Sequence, residues 1–137
     1  MSEQGMFSGR IIDRVINKEI EEKLYADNDQ VTTSYAKVQE GTIPDGYIGV
    51  IVSLAVSSDD SVLAYIERDE KQYYENGLNC GGMSHVPETG TDQFGVGDEI
   101  PLLIRIKERG KWALGFRSTS GTPVVSWRLR VRHIKKG

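Results

Sequence analysis

The chain has 137 residues, a length that fits one domain and would bury roughly two-thirds of the surface its unfolded form exposes. Its 17 basic and 20 acidic residues leave a formal charge of −3, so no global charge draws it to nucleic acid or to an anionic membrane. One cysteine, Cys80, rules out an intrachain disulfide and suits synthesis in a reducing compartment.

No apolar run reaches the ~20 residues that span a bilayer, and Met1 to Gly5 has neither the basic start nor the apolar segment of a secretory signal. Residues 1–7 read as frayed. From Ser8 to Leu24 the apolar residues Ile11, Ile12, Val15, Ile16, Ile20 and Leu24 recur at roughly helical spacing. Asp13, Arg14, Lys18, Glu21, Glu22 and Lys23 fill the opposite face, and Ser8 is a possible N-cap. The β-branched residues in this run equally permit an extended arm. Asp27-Asn28-Asp29 breaks the pattern. Residues 1–30 are therefore expected to be an N-terminal arm, helical or extended, and residues 31–137 the folded domain.

Beyond residue 30 the sequence reads as strands and turns. Val31 to Gln39 is β-prone, and Ile43-Pro44-Asp45-Gly46 is a turn in which Pro44 presets φ and Gly46 permits φ > 0. In Tyr47 to Val56 the alternation puts Ile48, Val50, Val52, Leu54 and Val56 on one face. Val62 to Glu67 is a strand, Arg68 to Lys71 a charged hairpin tip, and Gln72 to Glu75 can pair back. Asn76 to Gly97 forms a long glycine-rich loop, of a length that usually serves a contact. Glu99 to Lys107 alternates again, with Ile100, Leu102, Ile104 and Ile106 on one side. Arg109-Gly110 turns the chain into Lys111 to Arg117, where Trp112, Leu114 and Phe116 share the core side if Ala113 and Gly115 face away. The last strand, Val124 to Ile134, sets Val125, Trp127, Leu129 and Val131 against Arg128, Arg130 and Arg132. About seven short strands between turn clusters, with no helical pattern among them, predict an all-β sandwich or jelly roll.

Catalytic chemistry finds little support. Cys80 and His85 lie close together in the long loop, but Asn79-Cys80-Gly81-Gly82 matches no nucleophile motif, and nothing orients the histidine. One cysteine with His85 and His133 cannot build a typical zinc site. Asp59, Asp60, Asp92 and Asp98 sit in no calcium-loop pattern. The expectation is a protein that is not an enzyme and that needs no cofactor or metal. The arginines at 128, 130 and 132 stand about 6–7 Å apart along one strand face. They read either as a solvated face that discourages edge pairing or as a docking surface for an acidic partner. Aromatics do not interleave with them, which argues against nucleic acid.

The stretch Thr42-Ile43-Pro44-Asp45-Gly46-Tyr47-Ile48-Gly49-Val50-Ile51-Val52-Ser53-Leu54-Ala55-Val56-Ser57 resembles the opening of small β-sandwich proteins on tailed-phage virions. The run Val125-Ser126-Trp127-Arg128-Leu129-Arg130-Val131 is similar to their closing strand. Residues 40–134 carry the resemblance. It implies a sandwich seated on capsid or tail, made in the host cytoplasm and carried on the virion, with residues 8–24 as an arm tied to neighbours. On that resemblance the chain is expected to be a capsid decoration or accessory protein. It would bind a repetitive capsid or tail protein lattice as a homo-oligomer, without nucleic-acid or membrane partners. Its interaction residues would be Ile11, Val15, Ile16 and Ile20 on the arm, and Arg128, Arg130 and Arg132 on the last strand. A ligand- or carbohydrate-binding sandwich, such as a receptor-binding head, is the alternative.

Overall fold

The computed structural model describes residues 10–17, 19–58, 60–74, 76–80 and 99–137, the first of these segments as backbone. The described residues are all-β. In chain order the strands are β1 (Arg10–Asn17), β2 (Ile20–Gln30), β3 (Ala36–Thr42), β4 (Tyr47–Ser57) and β5 (Val62–Arg68). They continue with β6 (Lys71–Gln72), β7 (Leu78–Asn79), β8 (Glu99–Ile106), β9 (Lys111–Ser118) and β10 (Val124–Lys135).

Two antiparallel sheets pack as a sandwich. The first runs β1-β2-β10-β4-β8; the second runs β3-β9-β5-β6, with β7 also on β5. The core follows from the two-residue period of the strands. Val125, Trp127, Leu129 and Val131 of β10, with Ile51, Leu54 and Val56 of β4, face Ala64 and Ile66 of β5 and Trp112, Leu114 and Phe116 of β9. The expected core side of β9 is thus the observed one. Tyr25 of β2 and Trp112 of β9 meet edge to face across the sandwich, their ring centres 5.2 Å apart. Trp127 is buried to its indole nitrogen, which donates to Asp29 Oδ2 at 2.7 Å.

Two sequence expectations need correction. The first is the boundary at residue 30. Residues 10–17 and 20–30 form a β-hairpin, and β2 pairs along its length with β10 from Ile20↔Ile134 to Gln30↔Val124. Residues 20–30 therefore belong to the domain rather than to an arm, and no helix forms in residues 10–17 or 20–30. The β-branched residues that weakened the helical pattern are strand formers, and β10 offers an edge for β2 to complete. The second is the face assignment in β4. Leu129 pairs with Leu54 and Val131 with Ile51, so one residue is skipped between Arg130 and Val131. The skipped residue is Val52, and the bulge carries Ile51 into the core in place of Val50 and Ile48, which are half-buried.

Candidate functional site

The arginines of β10 come together as expected, but with carboxylates between them. Arg130 reaches both ways, its Nη1 donating to Glu22 Oε2 on β2 at 2.6 Å and its Nη2 to Glu99 Oε2 on β8 at 2.9 Å. Arg132 Nε donates to Glu22 Oε1 at 3.0 Å, and Arg128 Nη2 lies 3.7 Å from Glu99. Ser53 of β4 donates its hydroxyl to Glu99 Oε1 at 2.5 Å. The ladder thus crosses four adjacent strands, β2, β10, β4 and β8, on the outer side of the first sheet. Glu22 is 1% exposed, which a carboxylate tolerates only when charge-paired and hydrogen-bonded. Burial pushes the Glu99 pKa up, but the hydrogen bonds from Ser53 and Arg130 and the charges of Arg130 and Arg128 outweigh it and leave it below the usual range. These arginines are therefore ion-paired between strands rather than free, with Arg132, 41% exposed, the most open of the three.

Open positive charge gathers elsewhere, at one end of the sandwich. There the β3–β4, β5–β6 and β8–β9 turns meet the C-terminus, and backbone hydrogen bonds fasten them to one another. Ile43 donates to Gly110 O at 2.9 Å, Asp69 to Lys111 O at 2.8 Å and Lys136 to Gly46 O at 2.9 Å. Glu108 ties three of these pieces. It accepts from the Lys136 ammonium at 2.8 Å and from the Gly46 amide at 2.5 Å, and these bonds hold its carboxyl down at about 2. The β5–β6 turn places Asp69 and Glu70 at φ of 54° and 72°, the backbone of a tight two-residue hairpin, where glycine or asparagine is the usual choice. Arg109, at φ 62°, bridges Asp45 and Glu108.

Two open clefts, each of about 590 Å³, lie on this end and share Arg68 and Asp69. The first is lined by five basic side chains, Arg68, Arg105, Lys107, Arg109 and Lys136, and by Asp69, Glu108 and Ile48. The second adds Lys71, Gln72 and Tyr73. Sequence reading missed this site because its cations come from distant turns. The one local sign was the density of charge in Arg105-Ile106-Lys107-Glu108-Arg109-Gly110-Lys111.

The remaining sequence candidates separate. Ile11 and Val15 lie on β1 opposite Tyr25 and Glu21, Ile16 falls at a register irregularity, and half-buried Ile20 opens β2 beside Ile134. The two-residue period of a strand replaces the helical spacing that grouped these four residues. Cys80 is buried, its amide donating to Val62 O at 2.9 Å, and burial pushes its thiol up to about 12. His133 is buried on the core side of β10, its ring centre 6.4 Å from that of Tyr47. His85, Asp59, Asp92, Asp98 and most of the long loop lie outside the described residues. Among the described residues no group of three or more His, Cys, Asp or Glu side chains is placed to hold a metal ion. No helix among them is long and apolar enough to cross a membrane. Comparison with known proteins returns no matching family model, no matching curated protein and no matching solved structure.

Proposed function

We propose that the chain is a virion structural protein of the capsid decoration or accessory kind, which binds a repetitive protein lattice and assembles as a homo-oligomer. The observation that carries this reading is the cationic end: an exposed set of basic side chains held on turns that are themselves hydrogen-bonded into one frame. A preorganised charged surface of this sort speeds encounter with an oppositely charged partner and fixes its register. In a lattice, many weak copies of one contact reinforce each other. The resemblance of residues 40–134 to virion sandwiches points the same way. Binding rather than catalysis is the role that this surface suits.

The test is to fractionate cells that make the protein on a density gradient and to follow it by immunoblot. Co-migration with assembled particles at many copies per particle supports the reading. A protein that stays at the top of the gradient while particles sediment would refute it. Should it also bind immobilised glycans, the receptor-binding alternative would take its place.

A further inference from the structure

The two clefts on the cationic end share Arg68 and Asp69, and their charges are unequally satisfied. Lys107 sits 4.0 Å from Asp69, Lys136 2.8 Å from Glu108, and Arg109 is paired with Asp45. Arg68 and Arg105, by contrast, have no carboxylate partner among the described residues. Arg68 ends β5 in the second sheet, and its Nη1 donates to the backbone oxygen of Arg105 on β8, the edge strand of the first, at 3.2 Å. Its guanidinium carbon lies 4.9 Å from the centre of the half-exposed Tyr73 ring. The Arg68 guanidinium is thus held by a ring and by the backbone of Arg105, and the two arginines line the same cleft. Each retains N–H donors in the planar fork that matches a carboxylate.

Both clefts are open, and through the shared Arg68 and Asp69 their lining residues extend from Lys136 to Tyr73, more surface than a single small anion needs and enough for an extended chain. The lining is mixed rather than uniformly positive. Asp69 repels a uniform polyanion, and Asp69 and Gln72 can pair with the amide groups that a peptide carries between its carboxylates. Tyr73 is the single aromatic among the described lining residues, too few for the successive base stacking that single-stranded nucleic acid uses. We propose that this groove binds an extended acidic peptide segment, with Arg68 and Arg105 taking its carboxylates. The proposal rests on the lattice-docking reading and names the chemistry of the partner.

The experiment measures fluorescence anisotropy of a short labelled glutamate-rich peptide titrated with the full chain at low and at physiological salt. Parallel titrations use heparin and a single-stranded oligonucleotide. Arg68→Glu and Arg105→Glu are the test variants, and Lys37→Glu, on the outer side of the second sheet, is the control. Thermal unfolding establishes that each variant is folded. The expected result is salt-sensitive peptide binding, weakened about tenfold or more by either arginine reversal and unchanged by the control. Equal binding by wild type and both arginine variants, no peptide binding at low salt, or a preference for heparin or the oligonucleotide would overturn the proposal. If peptide binding fails while the protein still co-migrates with particles, this inference falls and the lattice reading stands. If the peptide binds as expected but the protein never joins particles, the lattice reading falls and the groove stands.

Discussion

Cys80 and Gly41 show how the interior limits chemistry and substitution at the scale of single residues. The Cys80 thiol is 1% exposed, and burial raises it to about 12, so almost no thiolate exists near neutral pH. Ellman's reagent at pH 8 is expected to leave the folded protein unlabelled and to label it fully in guanidinium; rapid native labelling would show that the site opens. Gly41 of β3 is packed against the Trp112 indole, and a Cβ there would stand 2.5 Å from its ring carbons. Gly41→Ala must displace a buried tryptophan that also packs on Tyr25. It is expected to cost about 1–3 kcal/mol in urea unfolding, whereas Gly137→Ala, with open space around it, is expected to cost nothing measurable.

For the strands, alternation was legible in the sequence wherever it was unbroken. The faces of β9 and β10 follow directly from Trp112, Leu114 and Phe116, and from Val125 to Val131. The charged hairpin tip at residues 68–71 was equally plain. Alternation failed in β4 because a bulge changes parity without a marker residue: Val52 is as apolar as its neighbours, and only pairing with β10 shows which residue is skipped. It failed before residue 30 because Ile, Val and charged residues at short spacing fit a helix and a strand alike until a partner strand is known. The arginine stripe was visible, but its role was not, since Glu22 and Glu99 come from strands far away in sequence. Glu22→Ala would remove the carboxylate that Arg130 and Arg132 share, leaving Arg130 only Glu99. The expected loss is about 1–3 kcal/mol of unfolding free energy, and a loss too small to measure would show that the ladder does not hold the sheet. Because Glu99 titrates below its ordinary value, its contribution is complete above the unfolded carboxyl range. It fades as pH falls through the folded pKa. Urea midpoints should therefore drop as pH is lowered from about 5 towards 3, and Glu99→Gln should flatten that slope. An unchanged slope in the variant would assign the acid sensitivity to other groups.

Over the whole molecule, the hairpin of β1 and β2 and the cationic end can be tested separately. Deleting residues 1–30 removes Glu22 and Tyr25 and strips β10 of a paired neighbour, so the truncated chain is expected to lose its cooperative thermal transition by circular dichroism. A stable chain lacking residues 1–30 would restore the boundary read from sequence. The proposed role of the cationic end is to meet an acidic partner. The most direct measurement is zero-length carbodiimide crosslinking of the protein on purified particles, read by mass spectrometry, because that chemistry joins a lysine only to a carboxylate it touches. The expected crosslinks run from Lys71, Lys107 or Lys136 to aspartate or glutamate of the lattice protein. Crosslinks confined to Lys37 on the outer side of the second sheet, with none from the cationic end, would contradict the claim.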